Sequence, residues 1–227
     1  MTAPRAPFAQ LRLDLERPTP FGAEAFVVSD SNRAAAQALA DWPGGVDKVL
    51  ALAGPPGSGK SHLASIWAER VGAVALDGAE AALIDPLELE DRPVLLDPAA
   101  DADDETLFHL INLAQSGGGA LMLVSRKPPV LWKTEVPDLR SRFDAMRVVK
   151  IDEPDDAVLA AMLKQAFERR SMTPDDDVIA YLVRRIGRSA KAAEAAVERL
   201  DALPGPVTRV SARAALDAAN EDDPLFG

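Results

Sequence analysis

The stretch Asp47-Lys-Val-Leu-Ala-Leu-Ala-Gly54-Pro-Pro-Gly-Ser-Gly-Lys60-Ser61 decides how this chain is read. Its first half is a short apolar run, the pattern of a strand buried on both faces. Its second half fits G-x-x-x-x-G-K-[ST] at every fixed position. Residues 61–72, SHLASIWAERVG, then read as a helix. A strand entering such a turn and a helix leaving it is the context that makes the pattern a phosphate site, the P-loop. Glycines let backbone N–H groups curl around an anion without Cβ clashes, and the helix N-terminus adds its dipole. Lys60 is placed for the β- and γ-phosphates and the Ser61 hydroxyl for Mg²⁺. Pro56, Gly57, Ser58, Gly59, Lys60, Ser61 and the adjoining His62 are therefore the expected nucleotide-binding residues, with ADP (or ATP) and Mg²⁺ as ligands. The plain alternative is a glycine-rich turn that holds nothing.

Outward from this turn, strands alternate with helices. Residues 71–78 (VGAVALDG), 92–98 (RPVLLDP), 119–129 (GALMLVSRKPP) and 147–152 (RVVKID) read as further strands. Residues 29–42 and 104–119 read as helices, with Ser29, Asp30 or Ser31 as N-cap of the first. The alternation predicts an α/β fold, a parallel αβα sheet built from βαβ units. After Pro154 four segments, 155–170, 175–187, 189–203 and 210–221, carry apolar residues at three and four spacing. They predict a small helical bundle of three or four members. The expected organisation is an arm over 1–22, a nucleotide-binding αβα domain over 23–153, a helical lid over 154–219 and an acidic tail over 220–227.

Composition narrows the classes. Lys+Arg 25 against Asp+Glu 36 gives a net charge of −11. Nucleic-acid binding draws on phosphate neutralisation, so a chain this acidic is a poor main contact for DNA. No apolar run approaches the roughly 18 residues of a membrane span, and the start lacks the apolar core of a secretory signal. Zero cysteines exclude disulfides and thiolate metal sites, and two histidines argue against a histidine-rich one. The expected address is the cytoplasm. Trp42, Trp67, Trp132 and Tyr181 fall singly in apolar stretches and read as packing.

Asp97 ends the apolar strand Val94-Leu-Leu-Asp97. A carboxylate at that end faces the phosphate site and holds Mg²⁺, the Walker-B role, so Ser61 and Asp97 are the expected metal residues. The next position is Pro98, where NTPases of this type usually carry a second acid that orients the attacking water. Intrinsic hydrolysis is therefore expected to be weak. Asp101, Asp103, Asp104 and Glu105 lie nearby but read as capping the following helix.

Three phrases resemble one family: GPPGSGKSH at 54–62, FVVSDSNRAAAQAL at 26–39 and PDLRSRFD at 137–144. They are similar to the AAA+ domain of the bacterial replication initiator DnaA, and more closely to its regulatory relatives of the Hda type. The resemblance runs from about Phe8 to Leu216. It implies that Val27, Val28 and Asn32 border the adenine. It also implies that Arg142, the second arginine of the PDL-x-SR box, is an arginine finger reaching a neighbour's γ-phosphate. Such fingers are worth about 10³–10⁵ in rate. The alternative for Arg142 is a surface pair with Asp138 or Asp144. Lys191 matches the sensor-2 arginine; Arg188 is the other candidate, and either fits solvated helix surface as well. Arg126 stands where the family has its sensor-1 aspartate, a departure that puts γ-phosphate sensing there in doubt.

Gln10-Leu-Arg-Leu-Asp-Leu15 resembles the peptide by which the regulator docks on the sliding clamp of DNA polymerase III. Gln10, Leu11, Leu13 and Leu15 would supply one polar anchor and an apolar set; the alternative is a strand packed on the chain's own core. The resemblance thus implies a negative regulator of replication initiation that stimulates hydrolysis of DnaA-bound ATP, with DnaA and the clamp as partners and homo-oligomerisation possible. It implies no membrane partner and no direct DNA-binding domain. Two rivals stand beside it: an autonomous P-loop ATPase acting as loader or remodeller, and an accessory that delivers a partner without stimulating hydrolysis.

Overall fold

Five short apolar runs become five strands of one sheet: β1 (Val49–Ala53), β2 (Val74–Leu76), β3 (Val94–Leu96), β4 (Leu121–Ser125) and β5 (Arg147–Lys150). The computed structural model describes residues 26–43, 47–117 and 119–221. The strand order is β2-β3-β4-β1-β5. Every pairing is parallel, with Val49 opposite Leu121, Leu50 opposite Arg147, Val94 opposite Leu121 and Val74 opposite Val94. Parallel strands are covered on both faces, which is why β1 and β4 are apolar without alternation and buried along their whole length. All strands end at the same edge of the sheet. The P-loop leaves that edge from β1, beside the point where the order of strands reverses, the usual place for a ligand in such sheets.

Helices α1 (Arg33–Ala40) and α2 (Lys60–Val71) cover one face. Their core is a pair of tryptophans, Trp42 and Trp67, with ring centroids 5.0 Å apart. The Trp67 indole donates to the Trp42 carbonyl at 3.1 Å. Arg70 donates to the Leu39 and Trp42 carbonyls at 2.6 Å each, closing the open end of α1. Helices α3 (Asp104–Ser116) and α4 (Pro137–Ala145) cover the other face, with Leu107, Ile111, Leu139 and Phe143 buried against it. Asp103 is the N-cap of α3, its carboxylate accepting from the Thr106 N–H at 2.7 Å, as the acidic run ahead of this helix predicts.

Past β5 the chain forms α5 (Asp156–Arg169), α6 (Asp176–Val183), α7 (Ala190–Asp201) and α8 (Arg209–Glu221). These four pack on a core of their own that includes Leu159, Leu163, Phe167, Leu182 and Val197. The two parts are stitched at the start of α5. The Asp155 carboxylate caps that helix at Val158 and also accepts from the Ser31 N–H, 124 positions away. Asp152 N–H donates to the Ser31 carbonyl at 3.0 Å.

One cap differs from the sequence expectation. Helix α1 starts at Arg33 with Asn32 in the cap position, not Ser29, Asp30 or Ser31. The Ser29 carbonyl already accepts from the N–H groups of Asn32 and Arg33, so the preceding turn is wound before the helix begins. Among the described residues, no helix is long and apolar enough to cross a membrane.

Candidate functional site

The loop between β1 and α2 is shaped by residues that lack or fold away their side chains. Gly57 and Gly59 have φ of +71° and +91°. At Gly57 a Cβ would also lie 2.6 Å from the Ser189 Cβ, so glycine is required twice over, by conformation and by contact. Lys60 is 8% exposed, and its ammonium donates to the Pro55 carbonyl at 2.7 Å, with the Ser58 hydroxyl at 3.5 Å. The cation is thus held inside the curl of its own loop. Burial pushes its pKa below the usual lysine range; Asp97 opposes that shift and Arg126 adds to it.

Asp97 follows β3 at the same edge and is hydrogen-bonded to the Ser61 side chain. Burial raises its pKa, Ser61 and Lys60 oppose the rise, and Asp77 at the end of β2 reinforces it. A hydroxyl and a half-buried carboxylate in contact, beside a buried ammonium, are an oxygen donor pair suited to a hard divalent cation on a phosphate. Ser61 and Asp97 fit Mg²⁺ on that chemistry. Among the described residues no group of three or more His, Cys, Asp or Glu gathers to hold a metal by itself. Ser125 is buried and its hydroxyl donates to the Lys127 carbonyl at 2.7 Å, so it serves the turn after β4. Arg126, next along, is exposed and close enough to Lys60 to act on its charge.

The Phe26–Asn32 segment lies against the start of α2. The Phe26 ring meets His62 edge-on at 5.2 Å. Asn32 is 2% exposed; its Oδ1 accepts from the Ser29 N–H and its Nδ2 donates to the Val27 carbonyl, both at 2.9 Å. That clamp leaves Val27 and Val28 38% and 49% exposed beside the loop, an apolar edge of the kind a flat base covers. Asn32 acts here as the fastener of the segment. Phe26 escaped the sequence reading of single site residues, although it opens the FVV phrase.

From the helical part, α7 arrives with its N-terminus on the loop. The Ala190 N–H donates to the Gly57 carbonyl at 3.3 Å, and Ser189 caps the helix through the Ala192 N–H. Ser189 and Ala190, just ahead of Lys191 in the segment that resembles the sensor-2 helix, are therefore the residues of the helical part that touch Gly57 of the P-loop. Lys191 is exposed and lines a hollow of about 630 Å³ with Tyr181, Arg185, Arg199 and Leu216. Arg188 is committed elsewhere, donating to the Pro154 carbonyl at 3.0 Å and to Asp156 at 2.7 Å.

Arg142 lies at the other end of the sheet. It lines a hollow of about 300 Å³ with Val49, Gln115, Met146 and Arg147, where β1 and β5 begin. Four residue steps along β1 put about 13 Å between that edge and the one carrying the P-loop. Its Nε donates to Asp138 at 3.2 Å, its Nη1 to Gln115 at 2.7 Å, and its guanidinium lies 4.9 Å from the Phe108 ring centroid. Arg140, two residues earlier, donates to the Val130 and Trp132 carbonyls and so holds the segment after β4. Gln10, Leu11, Leu13 and Leu15 lie outside the described residues.

No family model matches the sequence. DnaA of Chloroflexus aurantiacus is 29% identical over 225 residues, covering 84% of this chain and 47% of the relative. Domain III of Thermotoga maritima DnaA matches the structure with a TM-score of 0.70 at 20% identity, covering 86% of this chain and 95% of that domain. The chain is homologous to the AAA+ domain of DnaA. AMPPCP-bound DnaA from Aquifex aeolicus shares the fold with a TM-score of 0.66 at 17% identity, covering 87% of this chain and 69% of that one. The chain spans about half the length of the curated DnaA relatives it matches.

Proposed function

We propose that this chain is a nucleotide-bound AAA+ regulator that stimulates hydrolysis of ATP held by DnaA, and so restrains replication initiation. The observation that carries the reading is the separation of the two cationic sites. Lys60, Ser61 and Asp97 gather at the C-terminal edge of the sheet, and Arg142 lies by the opposite edge, with about 13 Å of strand β1 between the two edges. That separation supports a role for Arg142 on another subunit's phosphate rather than on one bound in its own loop.

Adenine nucleotide, ADP in the resting protein, would sit on the P-loop with its base toward Val27 and Val28 and with Ser189 and Ala190 closing over it. Mg²⁺ on Ser61 and Asp97 would screen phosphate charge. Lys60 would leave the Pro55 carbonyl for the phosphates, and the loop N–H groups would take the remaining oxygens. Arg142 would neutralise charge developing on the DnaA-bound γ-phosphate, an effect worth about 10³–10⁵ in rate for such fingers. Docking on the sliding clamp through Gln10, Leu11, Leu13 and Leu15 would bring the two proteins together. Pro98 after Asp97 and Arg126 in place of an acid both weigh against the autonomous ATPase, because neither can accept a proton from water or orient it as a carboxylate would.

The test is single-turnover hydrolysis of DnaA-bound ATP on clamp-loaded DNA. The parent protein should accelerate it, Arg142→Ala should not, and Arg140→Ala should retain more activity than Arg142→Ala. Replacing Gln10, Leu13 and Leu15 by alanine should remove clamp binding while leaving the fold intact. Full stimulation by Arg142→Ala would transfer support to the accessory that delivers a partner without stimulating hydrolysis.

A further inference from the structure

The Arg142 side chain is more confined than a surface arginine needs to be. It belongs to a nine-residue helix, α4, yet only 23% of the side chain is exposed. Three groups hold it. Asp138 lies one turn earlier on α4, while Gln115 and Phe108 come from α3, 27 and 34 positions away in sequence. Asp138 takes the Nε hydrogen, Gln115 takes one on Nη1, and the Phe108 ring supports the flat face of the guanidinium. Among the described residues Nη2 has no hydrogen-bond partner, so one edge of the fork stays open while the others are fixed.

We infer that Gln115, with Asp138, is a positioning residue that holds the Arg142 guanidinium in one orientation before a partner's phosphate arrives. The inference rests on the proposed action of Arg142 in trans. The physical reason is entropic and geometric. A free arginine side chain has rotamer freedom to lose when it is fixed on a ligand. A catalytic group misplaced by about 1 Å costs on the order of 10²-fold in rate. The α4 pair alone, a partly exposed ion pair at i,i+4, would hold the group only weakly. The bond from α3 changes this, because it ties the guanidinium to a second helix and removes the rotation that the α4 pair permits. Gln115 does this without charge, so it leaves the cation's field toward an incoming phosphate undiminished. Its own side chain is exposed and lies outside the core, so it can be changed without a cavity.

The experiment titrates each variant against a fixed amount of ATP-loaded DnaA on clamp-loaded DNA. It reads the maximal stimulated rate separately from the concentration giving half of it, and a thermal melt of each variant checks the fold. Gln115→Ala should lower the maximal rate by about tenfold or more, within the range a misplaced group costs. Its half-saturating concentration and melting temperature should stay near those of the parent. Gln115→Glu, which keeps an acceptor at the same reach but sets a negative charge beside the cation, should give a maximal rate between those of Gln115→Ala and the parent. Asp138→Asn, which keeps an acceptor for Nε, should also retain it. If Gln115→Ala gives the parental maximal rate, or loses stimulation only through a raised half-saturating concentration, the positioning role is overturned. Arg142→Ala in the same titration separates the two ideas. Loss of stimulation there with a parental Gln115→Ala discards the positioning role alone, whereas parental stimulation by Arg142→Ala discards both.

Discussion

Replacing Gly57 by alanine should separate the helical part of the molecule from the phosphate loop, and the cost can be worked from two distances. Its φ of +71° is a left-handed conformation that costs a residue with a Cβ about 1–2 kcal/mol. The new methyl would sit 2.6 Å from the Ser189 Cβ and 3.0 Å from the Ala190 nitrogen. Carbon atoms in contact rest about 3.5–4.0 Å apart, so loop and helix must part by about 1 Å. That displacement breaks the 3.3 Å bond from Ala190 to the Gly57 carbonyl, about 0.5–1.5 kcal/mol more. The sum is about 1.5–3.5 kcal/mol. Gly72 offers the control: its φ is +67°, but a Cβ there meets nothing within 4 Å, so Gly72→Ala should carry the conformational part alone. Urea denaturation of both variants should show Gly57→Ala the less stable by about 1 kcal/mol. Calorimetry with ADP should show affinity weakened more than about tenfold in Gly57→Ala, the equivalent of 1.4 kcal/mol, and unchanged in Gly72→Ala. Equal losses of stability, with parental ADP affinity in Gly57→Ala, would refute the idea that α7 closes on the loop.

Other consequences follow from the charges at the same edge. Burial raises the pKa of Asp97, so its folded form takes up a proton at a pH above the usual carboxylate range, and its charge opposes folding as pH rises through that window. The Mg²⁺-dependent part of nucleotide affinity should therefore fall as pH is lowered from neutral, measured by calorimetry with and without Mg²⁺. Asp97→Asn should abolish both that increment and its pH dependence while leaving stability at neutral pH equal or higher. Arg188→Ala should cost about 1–2 kcal/mol in a denaturation curve, since it removes a partly exposed pair with Asp156 and the bond to the Pro154 carbonyl, and it should leave ADP affinity unchanged. A large loss of ADP affinity with unaltered stability would instead make Arg188 the phosphate contact.

The sheet was legible because parallel strands announce themselves: the continuous apolar runs at 49–53 and 121–124 have no polar face to keep. The P-loop was legible because it is local, its chemistry carried by neighbours in sequence. The four helices after Pro154 were legible by period. What the sequence withheld is what depends on meeting across the chain. Nothing in Ser189 or Ala190 says that they will touch Gly57, since one is a helix cap and the other an ordinary helix former. Lys191 carries the charge that draws the eye, yet it lines a hollow of the helical part with Arg185 and Arg199. The resemblance marks Asn32 as bordering the adenine, but only the folded chain shows its amide also holding Ser29 and Val27. Gln115 is an unremarked polar residue near the end of a helix, and only the packing of α3 against α4 gives it Arg142 as a partner.

On the proposed function, the phosphate site and Arg142 serve different reactions at opposite edges of one sheet. ADP titrated calorimetrically into Lys60→Ala and Arg142→Ala, side by side, separates them. Lys60→Ala should lose nucleotide binding, because the loop loses its only lysine ammonium. Arg142→Ala should bind ADP as the parent does. Weakened ADP binding in Arg142→Ala, or parental binding in Lys60→Ala, would contradict the claim.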